Sequence, residues 1–177
     1  MALRSSAFSF CRRLISAAAS VVSVWAAIPA WVDAVVAARP YASLDALTAH
    51  AAALAVAWTI ADLDAALAHH PRIGQRPIGA SAEAAASRRE QASMTDAAAG
   101  VTAAIAAGNA AYEERFGRVF LIRAAGRRPE QILAELQRRL RSDDDAEAAE
   151  ALGQLAEIAI LRLRSSVTDG SSGRIGP

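Results

Sequence analysis

The chain has 177 residues, 47 of them alanine, and its 54% hydrophobic share falls to about 28% once alanine is set aside, enough for one core in a single domain. Nineteen basic residues against 18 acidic ones leave a net charge of +1, which excludes the electrostatic footprint of a dedicated nucleic-acid binder. The absence of lysine excludes Schiff-base and P-loop chemistry, the lone Cys11 excludes a disulfide framework, and three histidines are too few for a multi-histidine metal site.

Composition therefore points to a metal-free, helical, cytosolic protein, and chain order fills in the elements. Residues 14–32 carry no charge and follow Arg4, Arg12 and Arg13, a pattern shared with secretory signals. The stretch is mostly alanine, serine and valine and contains Pro29, so it is too weakly apolar for a membrane span. It is expected to be a ragged extension over 1–17 followed by a first core helix at 14–27. A short helix around 31–38 ends at Arg39-Pro40. Ser43 caps a long helix carrying Leu44, Leu47, Leu54, Trp58, Leu63 and Leu67, with Thr59–Asp62 as a point of division. Residues 69–82 form a loop, helices follow at 83–92 and 95–115, and Gly117 closes the second. Val119–Ala124 is a short extended segment, buried without a sheet. Pro129 opens a helix to about Arg141. Ser142 with Asp143, Asp144 and Asp145 caps the last helix, which runs to about Ser166, and 168–177 read as a flexible tail. The fold class is all-α, a single-domain multi-helix bundle over residues 18–167.

Several residues break these patterns. His70 precedes Pro71, which holds an imidazole on a rigid hinge at the negative end of a helix, where its cationic form is favoured. His69 and His70 equally suit a plain polar helix end. Ser87, Glu90 and Gln91 share one helical face, though Ser87 and Glu90 also match a capping box, with Ser81 available as an earlier cap. Arg162 continues the apolar stripe of Leu152, Leu155, Ile158 and Ala159, so it needs an anion, either an internal carboxylate or one on a ligand. Asn109, Tyr112 and Phe116 recur at helical spacing ahead of Gly117, the aromatics suiting a core. The buried peptide groups of Val119–Ala124 need partners that a planar, amide-rich ligand would supply.

In order along the chain stand His70-Pro71-Arg72-Ile73-Gly74, Ser87-Arg88-Arg89-Glu90-Gln91, Asn109 through Gly117, Phe120-Leu121-Ile122 and Leu161-Arg162-Leu163. This set resembles the 2-oxo-4-hydroxy-4-carboxy-5-ureidoimidazoline (OHCU) decarboxylase family of urate degradation, from about residue 20 to about residue 165, Trp31 and Arg39-Pro40-Tyr41 included. The resemblance implies an all-helical, commonly dimeric enzyme that uses no metal or organic cofactor and converts OHCU to (S)-allantoin and carbon dioxide. It also implies His70 as the catalytic histidine with Glu90 as its acidic partner. Pro71, Ser87 and Gln91 would bind substrate, Arg162 would hold it electrostatically, and the backbone at Phe120, Leu121 and Ile122 would recognise ureido and ring amides. Urate oxidase and hydroxyisourate hydrolase would be functional neighbours. The chain departs from the family at Ala27-Ile28-Pro29-Ala30, where many members carry Glu-His-Ser-Pro, and Arg118 and Arg123 add charge beside the extended segment. Two other readings fit the residues: a helical interaction module with Arg162 in a structural ion pair, and an altered relative acting on another ureido acid.

Overall fold

The computed structural model describes residues 26–68, 70–75 and 82–172. The regular elements among the described residues are all helical, as expected, and they fall into two compact units, one of Thr59–Glu157 and one of the chain before and after it. Of the helix expected at 14–27 only Ala26 and Ala27 are described, and the 1–17 extension, His69, Ser81 and the last five residues lie outside the described set.

In the unit that holds both chain ends, α1 (Pro29–Ala37) begins two residues earlier than expected because Pro29 occupies its first turn. There the missing amide hydrogen has no helical partner to lose. Arg39-Pro40 follows the helix as a cis peptide, and the Tyr41 hydroxyl donates back to the Val35 carbonyl at 2.8 Å. In α2 (Leu44–Ala55) the expected cap is present, Ser43 Oγ accepting from the Ala46 amide at 3.0 Å. The Trp31 indole donates to the Ala51 carbonyl at 2.8 Å, and Trp58 meets Trp31 edge-on at 5.4 Å.

The second unit opens with a reciprocal cap. The Thr59 amide donates to Asp62 Oδ2 at 2.8 Å and the Asp62 amide to Thr59 Oγ1 at 3.3 Å, which starts α3 (Ile60–Leu67). The expected long helix is thus two helices, with Trp58 in the connection. After α4 (Ala82–Glu90) a 3-10 turn (Ala92–Asp96) intervenes, so α5 (Ala99–Phe116) starts later than residue 95. Gly117 ends it in the left-handed region at φ +67°, its amide donating to the Glu113 carbonyl at 2.9 Å. Val119–Ala124 has no regular secondary structure and pairs with no strand among the described residues. Pro129 sits in the first turn of α6 (Pro129–Arg139), and the Gln131 side chain accepts from the Arg128 amide at 2.8 Å. The cap of α7 (Asp144–Ser172) is Asp143, not Ser142: Asp143 Oδ1 accepts from the Ala146 amide at 2.8 Å, while the Ser142 carbonyl accepts from Arg115. Helix α7 continues past Ser166 to Ser172, taking in the first residues of the expected tail. Its residues from Ile158 on belong to the first unit, where Arg164 reaches Asp45 at 2.9 Å and Thr48 at 3.0 Å.

The core of the second unit gathers Ile73, Ile105, Tyr112, Phe120, Ile122, Ala124, Ile132 and Leu136. The loop that carries the histidine and the extended segment are therefore seated in the same apolar cluster. No single helix among the described residues is long and apolar enough to cross a membrane.

Candidate active site

His70 lies just beyond the end of α3, its amide donating to the Leu67 carbonyl at 3.0 Å. Pro71 follows, and the chain turns through Ile73 and Gly74, the latter at φ +80°, where a side chain is strained. Three contacts pin this turn. Asn109 of α5 donates from Nδ2 to the Ile73 carbonyl at 2.9 Å. Gln91 accepts from the Gly74 amide at 3.0 Å. Arg72 and Glu113 form a two-pronged pair at 2.5 and 2.7 Å. The hydrogen bonds from Arg72 hold the Glu113 carboxyl below its ordinary value of 4.5. A cavity of about 280 Å³ beside the turn is lined by Arg72, Ile73, Asn109 and Glu113 among others, and by none of the residues expected in the site.

On α4, Ser87 is 1% exposed in mid-helix, which removes the capping and solvated-face alternatives for it. Glu90 ends the helix and Gln91 follows, both half-buried. Since the Gln91 side-chain oxygen is committed to Gly74, its NH₂ group is the part with donors to offer a ligand. The sequence singles out Gln91 but misses its bond to the histidine turn.

The extended segment is deeply buried, with Phe120 and Leu121 at 2% and Ile122 at 6% exposure. Side chains replace part of the missing sheet. Arg139 donates from NH1 to the Leu121 carbonyl at 2.7 Å, and Gln154 accepts from the Arg123 amide at 2.9 Å. Arg127 donates to the Arg123 carbonyl at 3.2 Å. Among the described residues, the amides of Phe120, Leu121 and Ile122 and the Ile122 carbonyl have no hydrogen-bond partner. These are the groups through which an amide-rich ligand could dock. The two extra arginines are paired nearby, Arg118 with Asp64 at 3.2 Å and Arg123 with Glu157 at 2.7 Å.

Beneath the segment lies a polar network with no counterpart in the sequence-based expectations. Arg139 and Glu147 are both fully buried, and Arg139 donates to Glu147 from Nε at 2.9 and 3.0 Å and also from NH2. The Tyr112 hydroxyl donates to the same carboxylate. Burial above all, with the Glu147 hydrogen bond, pushes the Tyr112 phenol well above its ordinary value of 10. Arg139 also lies over the Phe120 ring at 4.8 Å. A sequence signal for it existed: Arg139 falls on the stripe of Ile132 and Leu136, the same pattern that singles out Arg162.

Arg162 itself is 4% exposed, beside the equally buried Ala159 and Leu163, as its stripe position requires. It lies in the other unit from His70, Pro71, Ser87, Glu90, Gln91, Phe120, Leu121 and Ile122. His70, Ser87, Glu90 and Arg162 each have an interaction partner within the chain.

The OHCU decarboxylase family matches residues 15–164. The chain is 32% identical over 141 residues to the 2-oxo-4-hydroxy-4-carboxy-5-ureidoimidazoline decarboxylase of Amia calva, covering 78% of this chain and 81% of that protein. The crystal structure of an OHCU decarboxylase in the presence of (S)-allantoin superposes with a TM-score of 0.72 at 19% identity, over 86% of this chain and all of that one. An (S)-allantoin synthase structure matches at a TM-score of 0.59 and 18% identity, over 82% of this chain and 48% of that one. These last two likenesses establish the all-helical fold, and the match along residues 15–164 establishes kinship: the chain belongs to the OHCU decarboxylase family.

Proposed function

We propose that this protein decarboxylates OHCU to (S)-allantoin and carbon dioxide, with no metal or organic cofactor, in urate catabolism. The observation that carries the residue-level reading is the common seat of three elements in one unit. Ile73 of the histidine turn and Phe120 and Ile122 of the extended segment share a core, and Gln91 ties the end of α4 to that turn.

The chemistry suits these groups. The bond from the ring to the carboxylate carbon breaks, and its electron pair moves into the adjacent ring imine, which serves as the internal electron sink. The carbon that loses CO₂ keeps its hydroxyl, which gives up its proton as that carbon becomes a carbonyl. The former imine carbon gains a proton on one face and the imine nitrogen gains another, so one proton is taken up overall. His70 receives the hydroxyl proton and delivers it to carbon, with Glu90 fixing its tautomer and orientation. Arg162 holds a substrate anion, Ser87 and the Gln91 amide orient the ring, and backbone groups of Phe120–Ile122 bind the ureido arm. Pro71 sets the direction from which the imidazole acts. Holding the scissile bond across the imine plane and delivering the proton to one face account for both rate and chirality. We further propose a cytoplasmic homodimer working after urate oxidase and hydroxyisourate hydrolase.

The test follows OHCU, generated from urate by those two activities, by circular dichroism in the allantoin bands. Wild type builds optically active (S)-allantoin quickly, and His70→Ala loses about 10²–10⁴-fold in kcat, the usual contribution of general acid–base catalysis. A wild type that matches the slow racemic background would refute the assignment, and an unimpaired His70→Ala would remove the histidine from its role.

A further inference from the structure

The extended segment has no neighbouring strand, yet its peptide planes are not free to turn. A trans peptide is planar, with its C=O and N–H on opposite sides. The carbonyl of Leu121 and the amide of Ile122 belong to one such plane, and Arg139 holds that carbonyl from behind at 2.7 Å. The Ile122 N–H must therefore face the opposite edge. The next plane joins the Ile122 carbonyl to the Arg123 amide, and Gln154 holds that amide at 2.9 Å. The Ile122 C=O is aimed to the edge opposite Gln154 in the same way. Ile122 is thus left with a donor turned away from Arg139 and an acceptor turned away from Gln154. Neither group of Ile122 has a partner among the described residues. A ureido or ring –NH–CO– unit offers the reciprocal acceptor and donor.

From this geometry we infer that Arg139 and Gln154 are positioning residues for the reaction: they clamp the extended segment so that Ile122 offers a preformed amide-reading pair to the ureido substrate. The inference rests on the proposed decarboxylase function and adds two side chains to it, one on α6 and one on α7. Arg139 is built for this duty. A fully buried ion pair is a weak source of stability, since desolvation offsets most of its attraction. Here the guanidinium uses Glu147 as its counter-charge on one side and extends its remaining fork to Leu121. Stacking over Phe120 limits the segment's sideways movement as well. Gln154 does its part with a single oxygen, so a change there tests the clamp without placing a lone charge in the core.

The decisive variants are Gln154→Met, which fills similar space without an acceptor, and Gln154→Glu, which restores one. Arg139→Lys keeps a positive charge beside Glu147 but lacks the fork. Gln154→Met is expected to raise KM for OHCU about tenfold while kcat changes less than about threefold, as for loss of a contact made equally in ground and transition states. Gln154→Glu is expected to stay within about threefold of wild type in both. Arg139→Lys is expected to raise KM at least as much as Gln154→Met. Amide hydrogen exchange over residues 119–124 should quicken in Gln154→Met and Arg139→Lys, at temperatures where circular dichroism shows both still folded. A role confined to stability would instead lower the active fraction with KM unchanged, and that result, or wild-type exchange in Gln154→Met, would overturn the inference. Should wild type fail to act on OHCU, the functional reading falls on that result alone, while the exchange data still decide whether the clamp exists.

Discussion

Gly108 sits in mid-α5, where glycine is a poor helix residue, and replacing it by alanine would ordinarily stabilise the helix by about 1 kcal/mol. The packing against α6 reverses that expectation. A Cβ at Gly108 would lie 2.5 Å from Leu136 Cδ2 and 3.1 Å from its Cγ. Leu136 is fully buried in the cluster with Ile105, Tyr112 and Ile132, so it cannot swing aside without displacing those side chains. Overpacking a tight core costs about 1–3 kcal/mol. Gly108→Ala should therefore destabilise by about 0–2 kcal/mol, at about 2–4 °C of Tm per kcal/mol for a chain of this size. The contrast comes from Leu136→Ala, which alone costs about 2–5 kcal/mol by leaving a cavity. In that background the added methyl has room, and Gly108→Ala should stabilise by up to about 1 kcal/mol. Denaturant and thermal unfolding followed by far-ultraviolet circular dichroism on the four proteins gives both differences. A Gly108→Ala protein more stable than wild type, or the same loss in both backgrounds, would refute the steric argument.

Other expectations concern charge. Glu147→Gln leaves Arg139 positively charged without its carboxylate in a fully buried place and should cost about 3–5 kcal/mol in unfolding free energy. The paired Arg139→Met, Glu147→Leu double variant should recover most of that loss by removing both charges, while the exchange of residues 119–124 remains fast because Leu121 has lost its donor. Glu113, below 4.5 through its bonds to Arg72, and Asp62, below 3.8 through the Thr59 amide, both have lower folded than unfolded values. Their stabilisation is present above those ordinary values and is lost as pH falls through the depressed ones, so stability should decline from about pH 5 downward. Denaturation midpoints against pH should show a shallower acid decline in Glu113→Gln; an unchanged slope would show that the Arg72 pair contributes nothing.

Local chemistry determined much of this protein from the sequence alone. Caps and breakers act within four residues, so Ser43, Gly117 and Pro129 marked helix boundaries without any knowledge of neighbours. The non-helical, largely buried course of Val119–Ala124 and the burial of Arg162 followed from period and composition, and the ordered set from His70 to Arg162 carried the family. Where near neighbours compete, local signals blurred: Asp143 took the cap expected with Ser142, and Pro29 began a helix it was expected to precede. What only tertiary structure decided is which distant groups meet. Arg139 finds Leu121, Gln154 finds Arg123, Asn109 finds Ile73 and Tyr112 finds Glu147, across separations of 18 to 36 residues. An apolar stripe announces that an arginine is buried because burial follows helical period. It does not announce its partner, because a hydrogen bond is directional and its geometry exists only once the helices that carry donor and acceptor have packed.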